Sequence, residues 1–214
     1  MSIKYVHVVE DEDAIRRATH MMLKVLGYEP QTHASGVSFL EALPNLPEGC
    51  VLLDIRMPEM DGLEVQRRMK AAGSDLPLVV MSGHGDLAVA VTALEQGAVA
   101  FLEKPFARAS LEQALEIAFL RLENPEGYRQ YLRSAAQEVE KLEPIDRQVL
   151  AMMARGHDAG SIAQLMDLPP LSIEVSRSRI FAGLGSDSLT EVLRVAFASA
   201  RSGPPPVPKL RRFT

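Results

Sequence analysis

Four short apolar runs, at residues 6–9, 51–53, 78–81 and 98–102, constrain this chain more than any other feature. Their spacing leaves room for a helical segment before each next run. A weaker strand pattern at residues 29–33 brings the number to five. The runs are near-continuous in apolar residues and do not alternate, so both faces of the strands they form must be covered. The intervening segments carry helical spacing, for example Ile15, Ala18, Met22 and Val25. Strands covered on both sides by amphipathic helices form a parallel α/β sheet, and residues 1–122 suffice to build it.

Beyond that region the pattern becomes wholly helical. Leu111, Leu115, Ala118, Phe119 and Leu122 mark a helix over residues 110–123 with Ser110 as N-cap, and Asn124-Pro125 interrupts it and sets the domain boundary. Residues 123–141 read as a linker whose polar part, 128–141, is helical. Residues 142–200 form a small all-α domain with helices at 145–154, 161–166, 172–182 and 189–200, separated by Gly156 and by Asp167 to Pro170. Residues 201–214, with Gly203-Pro-Pro-Pro-Val-Pro and then Lys209, Arg211 and Arg212, read as an extended or disordered basic tail.

Composition narrows the function classes. No apolar run is long enough to span a bilayer and the N-terminus lacks a signal peptide's apolar core, which points to the cytoplasm. Cys50 is the only cysteine, which excludes an internal disulfide and any cysteine-cluster metal site. The net charge of −5 is unevenly distributed: residues 1–124 hold 11 Lys+Arg against 18 Asp+Glu, and residues 125–214 hold 12 against 10. An acidic first half suits a site that gathers a cation, and a mildly basic second half permits contact with nucleic acid.

The polar residues that interrupt the apolar pattern fall at the strand ends. Glu10 and Asp11 close the first strand, Asp54 the third, Ser82 the fourth and Lys104 the fifth. In an open parallel sheet, ligands bind outside the carboxyl ends of the strands, so these five residues should meet in one crevice. Three carboxylates at one site need a compensating cation, and hard oxygen donors without His or Cys favour Mg²⁺. Asp11 would hold it directly, Glu10 through water, with Asp54 and the Arg56 carbonyl as further ligands. A carboxylate that attacks a phosphoryl group needs this neutralisation, which makes Asp54 the nucleophile. Lys104 and the Ser82 hydroxyl would receive the phosphoryl oxygens. His84 is expected to be a loop residue, because no second His or Cys stands at metal spacing.

The runs Val8-Val-Glu-Asp-Glu, Asp54-Ile-Arg-Met-Pro-Glu-Met-Asp-Gly62, Ser82-Gly-His-Gly-Asp86 and Phe101-Leu-Glu-Lys-Pro-Phe106 resemble the receiver domains of two-component response regulators, specifically the FixJ-like branch. The resemblance covers residues 3–122. It implies a flavodoxin-like receiver fold, a sensor histidine kinase as phosphodonor, phosphorylation of Asp54 with at most slow self-dephosphorylation, and a cis Lys104-Pro105 bond. It also implies that Phe101 is the aromatic that swings inward when Ser82 closes on the phosphoryl group, and that phosphorylation favours a homodimer.

Residues 141–200 resemble the LuxR-type helix-turn-helix that follows such receivers, in Leu142-Glu-Pro-Ile-Asp-Arg-Gln-Val-Leu150, Gly156, Ile162-Ala163, Leu165 and Leu184-Gly185. By that resemblance 161–166 positions and 172–182 recognises DNA, with Ser172 as N-cap and Ser172, Ser176, Arg177 and Arg179 as candidate contacts. The pattern is only partly kept. Asp167 stands where Gly is usual, Pro169-Pro170 stiffens the turn, and Glu174 would face DNA unfavourably unless it reads a cytosine amino group. Two outputs follow: phosphorylation-controlled DNA binding that regulates transcription, or a degenerate helical domain that binds another protein.

Overall fold

A computed structural model describes residues 3–83 and 87–202; His84 and the Pro-rich segment 203–214 lie outside them. The chain divides into two compact units between Tyr128 and Arg129.

The first unit alternates strand and helix: β1 (Tyr5–Val9), α1 (Asp13–Val25), β2 (Glu29–His33), α2 (Gly36–Ala42), β3 (Gly49–Asp54), α3 (Gly62–Ala71), β4 (Leu78–Ser82), α4 (Leu87–Glu95), β5 (Ala100–Glu103) and α5 (Arg108–Glu123). All neighbouring strands run parallel, in the order β2-β1-β3-β4-β5. Every residue of β3 is buried, and Val6, Val8, Val9, Leu52 and Leu53 are wholly inaccessible, as strands covered on both faces require. Strand order reverses on either side of β1, which opens a crevice at the carboxyl ends of β1 and β3.

Local chemistry holds the loops at that end. Asp61 caps α3 by accepting from the Glu64 N–H at 2.8 Å. Gly62 is required there, because a Cβ at this position would sit 2.3 Å from the Asp54 carbonyl oxygen. The Lys104–Pro105 peptide bond is cis. Helix α5 begins at Arg108 with Ala107 as N-cap, so Ser110 lies inside the first turn and is not the cap expected.

Helix α6 (Pro125–Glu140) starts three residues earlier than the 128–141 pattern suggests, since proline fits a first helical position whose N–H would be unbonded anyway. The division between the units falls within it. The second unit continues with α7 (Pro144–Met153), α8 (Ala159–Met166), α9 (Pro170–Gly183) and α10 (Leu189–Arg201) around Val149, Leu150, Ile162, Ile173, Ile180, Val192 and Leu193. Arg201 therefore ends α10 and does not open the tail. Asp167 adopts the left-handed conformation at the end of α8 (φ +53°), a backbone that Asp tolerates better than most residues. Pro170 opens α9 with Pro169 as N-cap; Ser172 is thus an exposed first-turn residue and not the cap.

Candidate functional site

Glu10, Asp11 and Asp54 converge at the β1/β3 crevice with one carboxylate oxygen from each within 4.8 Å of the others. Glu10 is only 1% exposed, and Asp54 is also buried. Lys104, carried just past β5, reaches across the sheet end: its Nζ donates to Glu10 Oε2 at 2.6 Å and to Asp54 Oδ1 at 2.8 Å. The Lys104 N–H also donates to the Ser82 carbonyl at 2.7 Å, which brings the neighbouring strand end into the same region. Ser82 is fully buried, and Phe101 lies buried on β5 opposite Val80. Arg56 follows Asp54 in the tight loop closed by the Gly62 N–H on the Ile55 carbonyl at 2.9 Å, and its side chain is exposed.

Electrostatics set this pocket apart. Burial raises the Glu10 carboxyl above the usual range and the Asp54 charge adds to it, against the hydrogen bond and charge of Lys104. Burial opposes the Lys104 charge, but hydrogen bonds to Asp54 and Glu10 outweigh it and hold the ammonium above its ordinary value. One ammonium contacts two of the three clustered carboxylates, all hard oxygen donors without a His or Cys among them. That donor set fits Mg²⁺.

Sequence reasoning missed Arg16. From α1 its Nη1 donates to the carbonyl oxygens of Glu10 at 2.9 Å and Asp11 at 3.0 Å, and its Nη2 pairs with Asp13. The only signal is an arginine five residues past an acidic strand end, which is too common to read without the fold.

The family profile described as "Response regulator receiver domain" matches residues 6–116. Over 192 residues the chain is 36% identical to the transcriptional regulatory protein FixJ of Bradyrhizobium diazoefficiens, covering 90% of this chain and 94% of that one. FixJ of Rhizobium meliloti is 34% identical over 193 residues, covering 90% and 95%. The chain belongs to the FixJ-like response regulators. The crystal structure of full-length FixJ from B. japonicum superposes with a TM-score of 0.57 at 35% identity, covering 94% of this response regulator and 99% of that chain. The low-resolution structure of the response regulator StyR aligns at 29% identity with a TM-score of 0.54, over 91% and 98%. The protein is a two-component response regulator that controls transcription through its C-terminal part.

In this response regulator the predicted recognition helix has an unexpected inner face. Ser176 is 1% exposed, and its hydroxyl donates to the buried Asp146 of α7. Arg179 grips the same carboxylate through Nε at 2.8 Å and Nη2 at 2.6 Å, and this fork holds the Asp146 carboxyl below the usual range. Ser176 is therefore corrected from a DNA contact to an interior residue, because α9 turns it onto α7. Arg179 is half exposed but its fork is engaged, and Arg177 leans toward Glu174 at 3.5 Å. Ser172 stays on the surface. The exposed side of α9 mixes Leu171 (75% exposed) and Val175 (46%) with Ser172, Glu174, Ser178 and Arg179. Between α7 and α9 the side chains of Ile145, Val149, Leu168, Leu171 and Val175, edged by Ser172 and Arg179, line a groove of about 340 Å³.

No described helix is long and apolar enough to cross a membrane.

Proposed function

We propose that Asp54 is the phosphoacceptor of this response regulator, and that residues 1–122 form the receiver, 123–141 the linker and 142–200 the output domain. The observation that carries the reading is the convergence of Glu10, Asp11 and Asp54 with Lys104 at the one crevice where strand order reverses.

Asp54 attacks the phosphorus of a phosphohistidine on a sensor kinase. An O–P bond forms, the P–N bond breaks, and the imidazole leaves with the bonding pair and takes a proton. Lys104 already contacts Asp54, so its ammonium needs only a short shift to meet the phosphoryl oxygens. The Ser82 hydroxyl donates to another of these oxygens, and its movement makes room for Phe101 to turn inward. Glu10, Asp11, Asp54 and the Arg56 carbonyl would hold Mg²⁺, which supplies neutralisation of the charge on the transferring group. Hydrolysis of the acyl phosphate returns Asp54 and inorganic phosphate slowly, and no other turnover is assigned.

Phosphorylation favours a homodimer, pairing two output domains on a two-fold DNA site in the cytoplasm. Ser172, Arg177 and Arg179 remain the candidates for DNA contact on α9. A second reading, in which the output domain binds a protein, is favoured by the groove between α7 and α9, where Ile145, Leu171 and Val175 are exposed.

Fluorescence anisotropy with genomic DNA fragments, across a salt series and with or without a beryllofluoride mimic at Asp54, separates the two. Saturable binding that the mimic strengthens and salt steeply weakens supports DNA output. Flat anisotropy at low salt, in a chain shown to accept phosphate, transfers the reading to protein binding.

A further inference from the structure

Arg16 sits where it can control the crevice without entering it. After Val9 the chain leaves the sheet, and its carbonyls lose their ladder partners. The guanidinium takes the next two together, Glu10 at 2.9 Å and Asp11 at 3.0 Å, while its other end is tied to Asp13. A planar group that bridges successive carbonyls fixes the orientation of both peptide planes, and the direction of each Cβ follows from them. This matters most at Asp11. Among the described residues no donor holds the Asp11 carboxylate, so its aim into the pocket is set by the backbone that Arg16 clamps. Glu10, by contrast, is also held from the far side by Lys104.

We propose that Arg16 is a positioning residue for the cation site: its bridge across the Glu10 and Asp11 carbonyls pre-orients the Asp11 carboxylate for Mg²⁺. The inference rests on the reading of the acidic crevice as a Mg²⁺ site. Its test has a sign. Coulomb's law alone says that deleting a cation beside a cation site tightens Mg²⁺ binding, whereas loss of positioning weakens it.

The experiment is calorimetric titration of Mg²⁺ into the full chain at constant ionic strength, comparing Arg16→Met, Arg16→Ala and Arg16→Lys, with Asp11→Asn as the variant that removes the site. Arg16→Lys keeps the charge, but one ammonium cannot hold both carbonyls and Asp13 at once as Nη1 and Nη2 do, so it reports on the bridge even where a neutral variant folds poorly. The expected result is an Mg²⁺ dissociation constant about tenfold higher in all three Arg16 variants, the scale on which partners that orient metal ligands act. Phosphate uptake from acetyl phosphate should return to within about twofold of the unaltered chain at saturating Mg²⁺, since positioning is restored by mass action. Unchanged or tighter Mg²⁺ binding in the Arg16 variants, with binding abolished by Asp11→Asn, overturns the role of Arg16 and leaves the pocket reading intact. An unaltered chain that takes up no Mg²⁺ removes the pocket reading and this inference together.

Discussion

Asp54 in the first unit and Asp146 in the second are both buried carboxylates gripped by a basic side chain from a distant stretch of sequence, yet their surroundings differ in one respect. Asp146 receives two bonds from the Arg179 fork and a third from Ser176, so its charge is matched and its lone pairs are used. Asp54 shares a single ammonium with Glu10, and Asp11 stands beside them. The first arrangement is closed and locks α9 onto α7. The second sets three carboxylates against one ammonium, two positive charges short, and that deficit is what a divalent cation completes. Buried charge marks a functional site when it is incompletely compensated; when it is fully paired it marks a fastening.

The largest expected effect tests the open end of this contrast. Asp54→Asn should reduce phosphate uptake from acetyl phosphate or a phosphorylated kinase by at least about a hundredfold, because an amide is a poor nucleophile. Normal labelling of that variant would move the acceptor elsewhere. The closed end predicts a loss of stability with no loss of phosphorylation. Asp146→Ala should destabilise the second unit by about 2 kcal/mol, chiefly by stranding the Ser176 hydroxyl, because the half-exposed Arg179 can turn to water. Denaturant unfolding followed by circular dichroism measures it, and a change below about 0.5 kcal/mol would mean that the network fastens nothing.

The two units should also part company with pH. Burial holds His7 and His33 below their ordinary value of 6.5, so they are neutral when folded and take protons on unfolding. Their contribution is full above pH 6.5 and is lost as the pH falls through 6.5 toward the lowered folded values. The hydrogen bond from Arg179 holds Asp146 below its ordinary 3.8, so its contribution persists until the pH drops below that value. Glu10, raised above its ordinary 4.5, acts in the opposite sense as the pH falls. Residue-resolved hydrogen exchange between pH 7.5 and 5 should therefore show a pH response in the first unit and little in the second, with His7→Gln and His33→Gln shifting the first unit's response; a response larger in the second unit would break the comparison. The smallest effect belongs to the outer face of α9. Leu171→Ser and Val175→Ser should change the melting free energy by less than about 0.5 kcal/mol, since these side chains are open to solvent. A larger loss would show that the face is covered in solution.

The pocket is legible in the amino-acid sequence because its residues are punctuation. Glu10, Asp11, Asp54, Ser82 and Lys104 each end a strand pattern, and parallel sheets bring such ends to one edge by rule. Arg16 was not legible, because a side chain that acts through carbonyl oxygens leaves no residue-type signature. The contacts on α9 were misread at Ser176 for a related reason. Ser176 and Arg179 are three residues apart and share a helical face, but which face meets the core depends on Asp146, thirty residues earlier. Ser110 and Ser172 were mistaken for caps because capping is a geometric role. Their helices start two residues earlier, at Arg108 and Pro170, with Ala107 and Pro169 before them.

Alone, then, the amino-acid sequence determined the α/β class, the five strands, the helical second half and the acidic crevice. All of these follow from short-range periodicity and from the chirality of the parallel crossover. The tertiary structure alone decided which charges are matched. Whether an aspartate is a fastening or a reaction centre depends on how many donors reach it from distant segments, and those distances exist only once the chain has folded.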